Sequence, residues 1–381
     1  MLRSTDRILV SHAGTLPRPD AVARVFDGGA DDELKRVLPD AVRDVVRRQA
    51  ELGIDIVNDG EFSKRGGFSG YVRNRLSGIQ QHAAPSGARP RDVTARDRRD
   101  FPGAFAAGVG PFRAGSTVNQ PFFCNGPLTY IGQANVQNDI ANLKAAVQGL
   151  DVEPYLPAIA PGTVEHWLWN EHYPDTESFL FAIADALHEE YAAIVEAGIL
   201  LQIDDPDLPD GWQMYPNMSV ADYRPYAELR VEAINRALRG IPEDRVRLHI
   251  CWGSGHGPHQ NDIPLRDIVD IVLKVRAQCY SVEAANPRHE YEWHVWESTR
   301  LADGKSLMPG VVGHATNVVE HPETVADRLV RYANVVGREN VIAGTDCGIG
   351  TRVGHGEIAW AKLEALVEGA RIATRQLWGR E

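Results

Sequence analysis

An amphipathic helix, a tight turn and a short apolar run follow one another repeatedly along this chain, and that succession leaves few folds open. Residues 34–52, 179–197, 223–238, 265–277 and 324–336 carry apolar side chains at three- and four-residue steps, the period of a one-sided helix. They lead in turn into IDIVNDGE, ILLQIDDP, RVRLHICWG, CYSVEAA and NVIAGTDCG. Gly53, Gly198 and Gly240 stand just past the helical stretches, where a residue free to adopt the left-handed region lets the chain turn back. Helices alternating with strands in this way imply parallel strands joined by helical crossovers.

Nine strand candidates are present for the eight places of a barrel: ILVSHAG, IDIVNDG, FFCNGPLTY, YLPAIAP, ILLQIDD, VRLHIC, YSVEAA, GVVGHA and VIAGTDC. FFCNGPLTY follows the least helical stretch and is the one expected to lie outside. The predicted architecture is a single α/β domain, a (β/α)₈ TIM barrel spanning 1–381, a length that such a barrel with insertions fills. A doubly wound sheet would want a Gly-rich phosphate loop after its first strand, and SHAGTLPRP is not one. Residues 81–120, rich in Arg, Gly, Ala and Pro, read as an Arg/Gly-rich insertion within the barrel. It is either a surface loop or a lid whose arginines close over an anionic substrate.

The formal charge of −12 argues against a nucleic-acid partner, which calls for a surplus of Lys and Arg. No apolar stretch approaches a membrane span, and MLRSTDRILVSHAG lacks the apolar core of an export signal, so a cytoplasmic location is expected. Four cysteines are too few for a disulfide framework in a chain of this size. Cys124 and Cys279 read as buried thiols, while Cys251 and Cys347 are the candidates for chemistry.

Polar and metal-ligating residues gather at the carboxyl ends of the predicted strands: Asp59 and Glu61, Asp204 and Asp205, His249 and Cys251, Glu283, His314, and Asp346 with Cys347. Those ends share one face of a barrel, the face where active sites lie. From His249 to Glu283, His314 and Cys347 the steps are 34, 31 and 33 residues, each close to one strand–helix unit. His249 and Cys251, two apart in a strand, point the same way. Imidazole, two sulfurs and the Glu283 carboxylate suit zinc better than magnesium or calcium. Zinc would ionise an incoming thiol, and the thiolate is the nucleophile in alkyl transfer. Each signal has a plainer reading, as core packing for His-x-Cys or as a helix cap for a strand-end carboxylate.

LQIDDPDL, HICWG, VEAANPR, GVVGHA and TDCGIGTR, in this order, resemble the catalytic barrel of the cobalamin-independent methionine synthase family and its short, single-barrel relatives. Those relatives include the epoxyalkane:coenzyme M transferases. The resemblance implies a zinc-dependent transferase that methylates homocysteine to methionine, with His249, Cys251, Glu283 and Cys347 holding Zn²⁺ and Glu283 displaceable by substrate sulfur. It implies that Thr15 holds the amino-acid carboxylate, that Glu61 and Asp204 bind the ammonium, and that His314 gives a proton to the leaving group. Trp167 falls near the aromatic that stacks on a methyl-folate donor, although it reads equally as core. The chain departs from the synthase in having no room for a second barrel, which puts the folate donor in question. It also departs in FSKRGGFSGYVRNR, where Lys64, Arg65 and Arg73 suggest either a solvated loop or a grip on an anionic donor or sulfonate thiol. Asp205 stands where the synthase has a Glu.

Three alternatives stay open on the sequence. One is alkylation of a coenzyme M-like thiol, which Arg18, Lys64 and Arg65 would favour. Another is a zinc barrel without catalysis, although closed structural sites usually show short CxxC spacing, absent here. The third is a metal-free relative of uroporphyrinogen decarboxylase, which would not need His249, Cys251 and Cys347 together.

Overall fold

A computed structural model describes the chain except residues 27, 29, 84–91, 109–120, 254, 351 and 380–381. Eleven strands are described: β1 (Leu9–Val10), β2 (Ile56–Val57), β3 (Ile79–Gln81), β4 (Phe122–Cys124), β5 (Glu153–Ile159), β6 (Leu168–Asn170), β7 (Leu200–Asp204), β8 (Val246–His249), β9 (Cys279–Glu283), β10 (Ser306–Val312) and β11 (Ile342–Thr345). Eight of them form one parallel sheet in the order β1-β11-β10-β9-β8-β7-β5-β2, wrapped into a (β/α)₈ barrel. FFCNGPLTY is the surplus segment: its β4 joins β3 and β6 in a separate three-stranded sheet.

The long helices match the apolar periodicity. Asp31–Leu52, Thr176–Glu196, Val220–Ala237, Pro322–Val336 and Gly356–Trp378 each bury one stripe. Residues 265–277 differ from expectation. That segment is a 3₁₀ turn at Leu265–Asp267 and a single helical turn at Val269–Val272. Its β-branched apolar run packs on the barrel, but the helix is too short to be held by its own hydrogen bonds. Among the described residues, no helix is long and apolar enough to cross a membrane.

Seven strands each send one side chain into a buried layer: Leu9, Ile56, Tyr155, Leu200, Cys279, Met308 and Ile342. Two-residue periodicity then carries the same faces upward, from Leu200 to Gln202 and Asp204, and from Cys279 to Ser281 and Glu283. On β8 the inward positions are Arg247 and His249. The Arg247 guanidinium donates to Gln202 Oε1 at 2.7 Å and Ser11 Oγ at 2.9 Å, and lies over the Tyr155 ring. The barrel is thus apolar at the bottom, polar in the middle and ionisable at the mouth.

The sheet closes between β2 and β1 around Asp55. Its amide donates to Val10 O at 3.0 Å, and its carboxylate accepts from Val10 N at 2.8 Å and from both Arg7 nitrogens at 2.6 and 2.9 Å. Asp55→Ala is expected to lower unfolding free energy by about 1–3 kcal/mol, because a buried backbone donor at the seam loses its acceptor. Urea titration measures this, and an unchanged midpoint would refute the clasp.

His12, at the top of β1, is buried against Gln49 and Tyr155. Burial, with the Arg247 charge adding to it, pulls its imidazole down to about 4. The folded state therefore prefers neutral His12, so its contribution is complete above the ordinary histidine range and is lost as pH falls toward 4. Thermal melts from pH 7 to 4.5 should show a smaller loss in His12→Gln than in the parent chain; parallel curves would show that His12 is not responsible.

Candidate functional site

Three of the expected metal ligands come together. One ligand atom from each of His249, Cys251 and Cys347 lies within 4.8 Å of the other two. His249 ends β8, Cys251 follows two residues on, and Cys347 follows β11, so the ends of two strands separated by β9 and β10 converge at the barrel mouth to deliver all three. His249 Nδ1 hydrogen-bonds Ser281 Oγ at 2.9 Å, which fixes the ring and leaves the buried Nε2 without a well-placed hydrogen-bond partner. An imidazole pinned at one nitrogen and bare at the other, facing two thiols, is a donor set suited to a soft divalent ion.

The electrostatics agree with that fit. Hydrogen bonding from Cys251 and His249 holds the Cys347 thiol well below its ordinary range, against the opposing effect of burial. Cys251 is pushed well up, first by its contact with Cys347. Burial disfavours the His249 imidazolium, but Cys347, Asp204 and Glu283 together raise it. Of the two sulfurs Cys347 is thus the one that gives up its proton more readily, and a cation among these buried groups would favour that loss.

Glu283 stands slightly apart from the other three. Its Oε1 accepts from Trp252 N and its Oε2 from Asn286 Nδ2, both at 2.9 Å. Its carboxylate clusters with His314 and Asp346, with one ligand atom from each within 4.8 Å of the others. Asp346 Oδ1 takes the amides of Ala284 and Ala285 at 2.7 and 2.9 Å, while Asp346 Oδ2 and both His314 nitrogens are buried without partners. His314 is not among the residues that line the cavity described next.

A cavity of about 290 Å³ opens beside the thiols. Thr15, Glu61, Trp167 and Asp204, all expected at the substrate, lie on its wall with His249, Cys251 and Cys347. Thr15 Oγ1 donates to Glu61 Oε2 at 3.0 Å, and Glu61 sits at φ 59°, a left-handed conformation that a non-glycine residue holds at a cost. Burial raises Glu61, and it raises Asp204 to about 7. Both carboxyls would ionise fully beside a cation. Trp167 is 40% exposed and so is not a core residue. The close approach of TDCGIG to this wall requires its glycines: a Cβ on Gly348 would lie 2.7 Å from Thr15 N, and one on Gly350 2.4 Å from the Leu16 backbone.

Of the basic residues thought to favour an anion, Arg18 lies on the cavity wall, while Lys64, Arg65 and Arg73 are engaged elsewhere. Lys64 is buried, donates to Pro157 O and lies over the Tyr71 ring. Arg65 pairs with Asp31 at 2.8 Å, and Arg73 lies over the Phe122 ring. The grip on a sulfonate or anionic donor is therefore not built from these three. Much of the insertion, 84–91 and 109–120, lies outside the described residues. The intervening part forms two short helices, Ala95–Asp100 and Pro102–Ala106, and puts Val93, Thr94 and Asp97 on the cavity wall. Arg96 anchors it by donating to the carbonyls of Trp212 and Met218 at 2.7 Å and by stacking on the Trp212 ring.

Several wall residues were not singled out from the sequence: Asp207, Asp210, Gln213, Trp252, His259 and Asp262. Asp207 and Asp210 stand one helical turn apart on Asp207–Met214, directly after the strand-end pair, so QIDDPDLPD carried their signal. His259 and Asp262 come from the Gly-rich loop after HICWG, whose spacing matches no periodic element.

The family described as cobalamin-independent synthase, catalytic domain, matches residues 158–372. A methionine synthase of Saccharolobus islandicus is 24% identical over 376 residues, covering 96% of this chain and 94% of that protein. One from Pyrococcus abyssi is 27% identical over 223 residues, covering 58% of this chain and 57% of that protein. The fold superposes on a B12-independent methionine synthase from Shewanella sp. W3-18-1, solved with selenomethionine, with a TM-score of 0.73 at 21% identity; 98% of this chain and 100% of that one are covered. The matched residues contain β7 to β11 and with them His249, Cys251, Glu283, His314 and Cys347; the chain belongs to the cobalamin-independent synthase catalytic-domain family.

Proposed function

We propose that this chain is a zinc-dependent methyltransferase whose acceptor is a thiol bearing an ammonium group, with homocysteine the thiol that fits best. The observation that carries this reading is one cavity whose wall joins metal donors to an acidic pair. His249, Cys251 and Cys347 converge, and Glu61 and Asp204 share the wall with them. The names of the similar proteins, methionine synthases, support it.

His249, Cys251 and Cys347 would hold the ion, with Glu283, the buried carboxylate that ends the adjacent β9, to join them. Bound there, zinc supplies ionisation of the acceptor thiol near neutral pH, since a soft cation favours thiolate over thiol. The remaining steps belong to the chain's own groups. Glu61 and Asp204 take the ammonium and orient the sulfur toward the metal end, and Thr15 fixes the Glu61 carboxylate. Gln202 Nε2, donating to Asp204 Oδ1 at 2.7 Å, fixes the other. His314 clusters with Glu283 and Asp346, and its two partnerless ring nitrogens leave it able to hold or give a proton beside Glu283. The anchored segment around Arg96 covers the cavity and keeps water from the thiolate.

A coenzyme M-like acceptor loses the support that Lys64 and Arg65 had offered it. A zinc site serving structure alone would not need an open cavity with an acidic pair beside it.

Protein expressed with zinc should carry about one ion per chain, and Cys347→Ser should lose it along with turnover. Elemental analysis decides this, and a metal-free parent chain would end the proposal. Glu61→Gln should weaken homocysteine binding about ten-fold, the loss of one charge-assisted contact. Binding of 4-mercaptobutyrate, which lacks the amine, should hardly change. Equal effects on both thiols in calorimetry would remove Glu61 from ammonium recognition.

A further inference from the structure

Across the cavity from Glu61 and Asp204 the wall stays acidic. Asp97, Asp207, Asp210 and Asp262 line it, and Arg18, Arg352 and His259 are the basic side chains there besides His249. His259 is already committed to Asp262 at 2.8 Å. Asp97 accepts from the amide nitrogens of Asn261, at 3.0 Å from the main chain and 2.9 Å from the side chain, partners that bring no net charge. Asp207 is 2% exposed. One of its oxygens meets His166 Nδ1, and Oδ2 has no partner, an arrangement that is costly to bury unless a ligand completes it. Burial pushes the Asp210 carboxyl well up, and Asp207, Asp262 and Glu283 push it further against the opposing effect of His259. Trp167, half-exposed, lines the same space and offers an aromatic ring, whose face attracts cations.

Resting on the methyl-transfer reading above, we propose that the methyl donor is an onium compound, a methylsulfonium or quaternary methylammonium cation, seated among Asp97, Asp207, Asp210 and Trp167. The chemistry balances without a proton donor. The acceptor thiol gives its proton to solvent, and the thiolate sulfur forms a bond to the methyl carbon. The bond from that carbon to the onium sulfur or nitrogen breaks, and its electron pair stays on the leaving atom, which departs as a neutral thioether or amine. An uncharged N-methyl amine donor would instead need protonation at the departing nitrogen. Among the described residues, a polyanionic donor would meet mostly these carboxylates, Arg18 and Arg352 being the arginines on the wall.

The test uses the full-length, zinc-loaded chain with homocysteine and three trideuteromethyl-labelled donors: trimethylsulfonium, glycine betaine and methyltetrahydrofolate triglutamate. Labelled methionine is read by mass spectrometry. The expected result is a kcat/KM for one of the two onium donors about a hundred-fold or more above that for the folate, the sulfonium and betaine arms telling the two classes apart. Asp210→Asn and Asp97→Asn should each raise the KM for that onium donor about ten-fold and change kcat little, because the wall acts on binding. Calorimetric titration of the parent chain with each cation gives a second readout that needs neither the variants nor turnover. A folate rate equal to or above both onium rates would overturn the onium donor and leave methyl transfer to homocysteine standing. Failure of both cations to bind in calorimetry would overturn it as well, whatever the acceptor assay shows. Failure of homocysteine itself to bind would remove the methyl-transfer reading, and this inference with it.

Discussion

Parallel strands that end together force their last side chains into one another's company, whatever the electrostatic cost. In this chain Asp204 pairs in register with His249, His249 with Ser281, and Glu283 with Gly310, so neighbouring strands present their terminal residues at nearly one height. Gly310 permits the step to the next strand: a Cβ there would lie 2.4 Å from the Asp346 backbone. Without that close approach Asp346 and Cys347 would be held away from Glu283 and His249. The donor cluster is therefore a product of register, and it persists because the apolar layer beneath it fixes the strands.

The architecture and much of the site were legible for the same reason. Helix periodicity and strand length are local properties, and intervals of 34, 31 and 33 residues between ligand-type side chains translate directly into successive strands. The surplus strand could be set aside because FFCNGPLTY lacked a preceding amphipathic helix, and β4 pairs only with β3 and β6. What stayed hidden depends on loops. That Glu283 faces His314 and Asp346 follows from the turn that brings Trp252 N and Asn286 to its two oxygens, and no periodicity encodes that turn. The basic cluster after NDGE misled because charge was read without geometry. Lys64 folds inward onto a carbonyl and an aromatic ring, and Arg65 reaches back to Asp31, the first residue of the neighbouring helix.

Two kinds of buried carboxylate separate in the structure, and the separation bears on function. Glu190, Asp139 and Glu165 are matched by guanidinium groups, Arg75 at 3.2 and 2.6 Å for the first two and Arg230 at 2.7 Å for the third, and they tie helices and strands together. Asp204, Asp205 and Asp207 lie close by in the chain, yet their side-chain partners are an amide, a hydroxyl and an imidazole. Burial raises Asp204 and Asp205 to about 7 each. A fold able to supply buried arginines to one set and not to the other leaves the second set waiting on a cation from outside. On the function proposed above, ammonium recognition and an onium methyl donor would both follow from that single imbalance, and a metal taken by the nearby sulfur and nitrogen donors would be a third positive centre.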